Sequence, residues 1–112
     1  MMKKLLLIAL TLFAFPSVGS ERAQEAWKLI NEGAMVVDVR TPEEFNQKHL
    51  PNAVNIPLKT LPDSLGSLPK DSWIVVYCRS GNRSGQALEF MEEQGFSQVH
   101  NGGGLRELLA SE

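Results

Sequence analysis

Apolar residues in this chain switch repeatedly between a helical and an extended period. Ala23, Ala26, Trp27 and Ile30 fall at i, i+3, i+4 and i+7, with Glu25, Lys28 and Glu32 off that stripe. This spacing predicts an amphipathic helix over 22–32, stopped by Gly33, with Trp27 as a core anchor. Met35-Val36-Val37-Asp38-Val39-Arg40 is β-branched and hardly alternates, the pattern of a strand covered on both faces of a parallel sheet. Thr41-Pro42-Glu43-Glu44 starts a second helix, with Thr41 as cap, Pro42 at the first helical position and Glu44 where a capping box needs it. That helix runs to about Lys48, with Phe45 turned inward. Ala53 to Pro57 reads as a short strand closed by proline. Leu58 to Ser72 is a connector punctuated by Pro62, Gly66 and Pro69, with a short helix near 61–65. Trp73 to Tyr77 is a central strand. Arg83 to Gln94 is helical, with Ser84, Ala87, Leu88 and Met91 on one face and Gly95 as its stop. Phe96 to Asn101 holds a last strand, Gly102-Gly103-Gly104 a tight turn, and 105–109 a final turn or two of helix. Helices alternating with short apolar strands define an α/β fold with a mainly parallel sheet, in which four strands are visible.

With 112 residues the chain holds one domain, without internal repeats or low-complexity segments. Its formal charge of −2 and lack of a basic stripe argue against a nucleic-acid partner. The first twenty residues stand apart. Met1-Met2-Lys3-Lys4 is a basic start, Leu5 to Phe15 an apolar run of eleven residues, and Pro16-Ser17-Val18-Gly19-Ser20 a small-residue end. This is the pattern of an export signal cleaved after Ser20, leaving a domain over 21–112; the run falls short of the ~20 residues a membrane span needs. Cleavage removes Lys3 and Lys4 and leaves nine basic against thirteen acidic residues, a formal charge of −4. The expected product is exported, with no membrane attachment after cleavage.

Export makes the single cysteine, Cys78, informative. Cysteines in oxidising compartments usually pair, and one cysteine cannot pair within its chain. A buried, inert thiol is the plain alternative. Cys78, however, ends an apolar run and opens Cys78-Arg79-Ser80-Gly81-Asn82-Arg83-Ser84, a polar loop that leads into a helix. Unpaired N–H groups at that helix start, and the loop N–H groups that Gly81 allows to converge, make a cradle for an anion. Arg79 and Arg83 favour thiolate over thiol and attract an anionic substrate. Ser80, Asn82 and Ser84 either donate hydrogen bonds to that anion or brace the loop. Asp38 and Arg40 lie at the C-terminal end of a strand, where open α/β sheets bind ligands, and serve either the site or a local ion pair. His49 has no partner acid in the sequence and reads as a hydrogen-bonded structural residue.

The loop resembles the active loop of single-domain rhodaneses, commonly Cys-x-x-Gly-x-Arg-Ser. Val37-Asp38-Val39-Arg40-Thr41-Pro42-Glu43-Glu44-Phe45 is similar to that family's Asp-x-Arg-x-x-x-Glu-[Phe/Tyr] segment. His49-Leu50-Pro51-Asn52-Ala53-Val54-Asn55-Ile56-Pro57 resembles its His-Ile-x-Gly-Ala-x-Asn-Ile-Pro motif, with Asn52 in place of the glycine, and Asn101-Gly102-Gly103-Gly104 resembles its late Gly-Gly turn. With the leader, the chain is similar to small periplasmic rhodaneses of the phage-shock type. The resemblance implies a rhodanese-like sheet of four to five strands flanked by helices on both faces, the first short strand not being evident after Ser20. It implies a monomer that transfers sulfur without metal or cofactor. Thiosulfate would be the donor and a thiophilic nucleophile the acceptor, cyanide in an assay or a thiol in the cell. Cys78 would be the nucleophile, residues Arg79, Ser80, Gly81, Asn82, Arg83 and Ser84 would bind substrate, and Asp38 and Arg40 would support them. Two other functions share the loop chemistry. Phosphatases and arsenate reductases also set Cys and Arg around an oxyanion, but phosphatase loops enclose five residues where Cys78 and Arg83 enclose four. A non-catalytic persulfide carrier or thiol-based binding module would keep the reactive cysteine without turnover.

Overall fold

A computed structural model describes residues 20–112, so the expected leader lies outside the described residues except for Ser20. Four strands, β1 (Met35–Asp38), β2 (Val54–Asn55), β3 (Ile74–Cys78) and β4 (Val99–Gly104), form one sheet in the order β2-β1-β3-β4. Every pairing is parallel. Among the described residues there is no fifth strand. The helices are α1 (Glu21–Asn31), α2 (Pro42–Gln47), α3 (Leu61–Ser64), α4 (Asn82–Glu93) and α5 (Leu105–Ala110).

Strand side chains alternate between two cores. Val36, Val75 and Tyr77 pack with Ala23, Ala26 and Leu29 of α1 and Leu105 and Leu108 of α5. Val37, Ile74, Val76 and Cys78 face the other way, with Leu61 of α3 and Ala87 and Met91 of α4. All five residues of β3 are buried, as its unbroken apolar run requires. Trp27 is only half-buried, and its indole N–H donates to the Leu108 carbonyl at 2.8 Å, so it joins α1 to α5 from the rim of the core.

The local signals act as read. Thr41 and Glu44 form the reciprocal capping box, and Pro42 opens α2. Asn52 adopts φ 67°, the left-handed geometry an asparagine tolerates in place of the family's glycine. His49 is structural, bonded through Nδ1 to the Phe45 carbonyl at 2.8 Å and stacked on the Phe45 ring. The Ser20 hydroxyl accepts from the Ala23 N–H and caps α1. One reading needs correction. The last strand runs over Val99–Gly104, not Phe96–Asn101, so the three glycines are strand and not turn. Glycine has low strand propensity, but here a side chain would be crowded: a Cβ on Gly102 would lie 3.1 Å from the Ala26 Cβ and 3.2 Å from Val75 Cγ1. The register also slips between Val76 and Tyr77, which pair with Asn101 and Gly103, so β4 carries a bulge at Gly102.

The topology sets the place of a ligand. The chain leaves β1 toward β2 on one side, and leaves β3 toward β4 on the other. The crevice outside the C-terminal ends of β1 and β3 is therefore a topological switch point, where open parallel sheets bind ligands. Asp38 to Arg40 and Cys78 to Ser80 lie there.

Candidate active site

Cys78 is the last residue of β3 and only 1 % exposed. Gly81 sits at φ 99° as the residue before α4, a left-handed conformation that only glycine adopts readily. The turn brings its N–H to 3.0 Å from Cys78 Sγ. Burial pushes the Cys78 thiol up, but the Ser84 hydroxyl and the N–H groups of Ser84, Ser80 and Gly81 outweigh it, and the net shift is downward. The loop is thus built to hold negative charge on sulfur.

Ser84 lies on the buried side of the thiol, with Oγ 3.3 Å from Sγ and 2.7 Å from Asn101 Oδ1. The Asn101 carboxamide is oriented by two further bonds. Its Oδ1 accepts from the Gly103 N–H at 2.9 Å, and its Nδ2 donates to the Gly81 carbonyl at 3.2 Å. One hydroxyl proton therefore faces two acceptors. Ionising the thiol draws it toward sulfur, because a hydrogen bond to a charged acceptor is the stronger. Replacing Ser84 with alanine is expected to raise the thiol pKa and slow alkylation by iodoacetamide at neutral pH roughly tenfold, the worth of one such bond. A pH series of alkylation rates checks this.

The other loop side chains separate into different tasks. Arg79 is exposed and lines a cleft, and among the described residues it makes no ion pair. Ser80 lines the same cleft, while its carbonyl accepts from Arg22 Nη2 at 3.2 Å. Asn82 opens α4 and accepts from the Gln86 side chain along the helix, so its carboxamide braces the helix start. Arg83 is committed to Glu44 through two bonds of 2.7 and 3.0 Å, and it ties the loop to α2. Asp38 and Arg40 form a buried pair, with Arg40 Nη2 2.7 Å from Asp38 Oδ2 and 2.6 Å from the Lys48 carbonyl. This pair raises the Arg40 pKa, and it fixes the Lys48 segment as one wall of the cleft.

Four contributors escape sequence reading. Glu44 has a helix-cap signature and no signal for its bond to Arg83. Asn101 is visible only as the residue before a glycine run. Arg22 and Glu107 lie 85 positions apart, yet Arg22 Nε meets Glu107 Oε2 at 2.8 Å, and the Glu107 carboxylate also accepts from Ser20 and from the Gly104 N–H. Together they bracket the far side of the loop.

Both carboxylates are acidified. The Arg83 bonds hold Glu44 down from 4.5 to about 2, and the Arg22 bonds do the same for Glu107. A folded pKa below the unfolded one means that the stabilisation is complete above pH 4.5 and is lost as pH falls toward 2. We expect unfolding free energy to drop across that window, and Glu44→Gln to flatten the drop. Denaturant melts followed by circular dichroism from pH 6 to pH 2 provide the check.

The cleft has a volume of about 650 Å³ and is lined by Arg40, Glu44, Lys48, Arg79, Ser80 and Arg106, with Gln47 and Leu105. Among the described residues no cluster of His, Cys, Asp and Glu could hold a metal ion.

Comparison with known proteins agrees with this α/β fold. The family model for the rhodanese-like domain matches residues 22–110, and the chain belongs to that family. Thiosulfate sulfurtransferase PspE of Escherichia coli K12 is 36 % identical over 110 residues, covering 96 % of this chain and 93 % of its relative. Thiosulfate sulfurtransferase GlpE of Pseudomonas syringae is 35 % identical over 85 residues, 76 % of this chain and 80 % of that one. Among solved structures, a rhodanese-like domain protein from Staphylococcus aureus superposes with a TM-score of 0.69 at 34 % identity, over 77 % of this chain and 86 % of its own.

Proposed function

We propose that this protein is a thiosulfate sulfurtransferase of the rhodanese type that carries sulfur on Cys78. The observation that supports the reading most directly is the thiol held by the Gly81 N–H and the Ser84 hydroxyl, with its pKa lowered, at the head of a four-residue loop. The names of two relatives, both thiosulfate sulfurtransferases, agree with it. In the first half-reaction the Cys78 thiolate attacks the outer sulfur of thiosulfate. A bond forms between the two sulfurs, the bond within thiosulfate breaks, and its electron pair leaves with sulfite. Cys78 then holds a persulfide, and the loop N–H groups that stabilised the thiolate stabilise that charge in turn. In the second half-reaction a nucleophile takes the outer sulfur and the electron pair returns to Cys78 as thiolate. No step requires a metal or cofactor.

Within this reading Arg79 is the side chain that meets the dianionic donor. Arg79→Ala is expected to raise the KM for thiosulfate roughly tenfold, about one charge-assisted contact, with a smaller effect on discharge of the persulfide to cyanide. Stopped-flow measurement of the two half-reactions separates these effects.

We read the N-terminal residues as an export leader removed near residue 20 and the location as periplasmic. Support comes from the basic start and the short apolar run. No helix among the described residues is long and apolar enough to cross a membrane. A steady-state assay of thiocyanate formation from thiosulfate and cyanide tests the activity. Turnover is expected; stoichiometric labelling of Cys78 without turnover would favour a carrier or binding module, and aryl-phosphate hydrolysis of comparable efficiency would favour a phosphatase.

A further inference from the structure

The Ser80–Gly81 peptide unit is held at both ends. Its N–H donates to Cys78 Sγ at 3.0 Å, and its carbonyl accepts from Arg22 Nη2 at 3.2 Å. In a trans peptide these two groups point in opposite directions, so a donor that fixes the carbonyl also fixes where the N–H points. This peptide needs fixing. A half-turn about its axis changes ψ of Ser80 and φ of Gly81, and glycine accepts either sign of φ, so Gly81 itself offers little resistance. The turned peptide would aim a carbonyl oxygen at the thiolate in place of an N–H. Arg22 is placed to prevent this. Its guanidinium lies against the loop backbone, where a Cβ on Gly81 would come within 2.6 Å of Nη2. Glu107 aims the guanidinium: it accepts from Nε and Nη2 at 2.8 Å each and is itself fixed by the Gly104 N–H. The Arg22 carbonyl accepts from His100 Nε2 at 2.8 Å, so the start of α1 is tied to β4 as well. The Arg22 pKa is raised, first by the Glu107 bonds and last by the charge of Cys78, which places the guanidinium within the field of the sulfur. Unlike Arg79, Arg22 does not line the cleft.

Resting on the Cys78 sulfurtransferase reading above, we infer that Arg22 is a positioning residue of the reaction: with Glu107 it holds the Ser80–Gly81 peptide in the one orientation that turns its N–H to the nucleophile. It acts through that peptide and touches no reacting atom. Its bond to the carbonyl also polarises the peptide and strengthens the N–H as a donor to sulfur. Two arginines thus divide the work. Arg79 meets the anion in the cleft, and Arg22, on the far side of the loop, keeps the sulfur's hydrogen-bond donor in place.

Two variants of the full protein test this. Arg22→Met keeps much of the side chain's length and removes its donors and charge. Glu107→Gln keeps the Arg22 charge and an acceptor for the Gly104 N–H, and removes the carboxylate that aims the guanidinium. For this second variant a charge and a positioning role give opposite signs. A charge acting at a distance gains strength when Glu107 no longer neutralises it, so the thiol pKa would fall and alkylation by iodoacetamide would quicken. A guanidinium that orients a peptide loses its aim, so the thiol pKa rises and alkylation slows. We expect both variants to slow alkylation several-fold at pH values below the parent thiol pKa, up to the roughly tenfold that one hydrogen bond is worth. The rate of thiosulfate loading at saturation should fall with it while KM stays within about twofold of the parent, the reverse of the pattern expected for Arg79→Ala. In amide NMR spectra the Gly81 N–H should exchange faster with solvent in both variants while the amides of β1 keep parental protection, which separates a turned peptide from general loosening. A Glu107→Gln protein that reacts as fast as the parent or faster, or an Arg22→Met protein with the parental alkylation profile, would overturn the inference and leave the sulfurtransferase reading standing. Absence of thiocyanate formation by the parent protein would overturn that reading, while the alkylation series still decides what Arg22 does to the thiol.

Discussion

Cys78→Ser is expected to fold normally and to form no thiocyanate above background, a fall of at least about a thousandfold for loss of the nucleophile of a covalent mechanism. Serine is close in size to cysteine, and its oxygen keeps an acceptor for the Gly81 N–H that now reaches Sγ at 3.0 Å, so the loop has no reason to rearrange. The alcohol cannot take the sulfur: its pKa lies far above that of a thiol, and oxygen does not form the perthiol bond on which the second half-reaction depends. Thermal unfolding within a few degrees of the parent, together with absent turnover, is the pattern expected. Residual turnover well above background would move the nucleophile elsewhere. Cys78 is the only cysteine in the chain, so no second thiol can take its place.

Gly104→Ala should do comparable damage by another route. Gly104 pairs with Cys78 across β3 and β4, and a Cβ built on it would lie 2.1 Å from the Arg79 carbonyl oxygen and 3.1 Å from the Ser80 Cα. Both are backbone atoms of the cysteine loop, with no rotamer to yield. Either β4 or the loop must move, at a cost in the upper part of the ~1–3 kcal/mol typical of overpacking or beyond it. A loop displaced by even 1 Å takes its N–H groups off the sulfur, and misplacements of that size cost roughly a hundredfold in rate. We expect a lower melting temperature and about a hundredfold loss of thiocyanate formation. Gly66→Ala, where nothing lies within 4 Å of the new Cβ, is the control and should change neither. A Gly104→Ala protein with parental activity would mean that the loop tolerates movement, contrary to the preorganisation argued here.

Much of this was legible because it is local. The β-branched run before Cys78, the Thr41–Glu44 capping box and the glycine at 81 each declare their geometry within a few residues, and the chain adopts it. The strand count followed from the same patterns, and the helices on both faces from the family resemblance. The misread element lies where tertiary contact overrides local preference. A run of three glycines reads as a turn, but in the strand that forms there Gly102 is crowded by Ala26 and the Arg79 carbonyl leaves no room for a side chain at Gly104. Long-range partners are hidden in the same way: the Arg83 guanidinium is bonded to Glu44, 39 positions away. Asn101 reaches the thiol only through Ser84, and the bulge at Gly102 that accompanies this has no sequence signature beyond glycine itself. Arg79, whose side chain makes none of these bonds, lines the cleft.

The central claim is that Cys78 carries the sulfur covalently. Intact-mass and peptide mass spectrometry of the protein after brief exposure to thiosulfate, without reductant, tests it most directly. The account predicts a gain of about 32 Da located on Cys78, which cyanide removes with the appearance of thiocyanate. A sulfinic acid has the same nominal gain but does not yield to cyanide. An unmodified Cys78, or a gain that cyanide leaves in place, would contradict it.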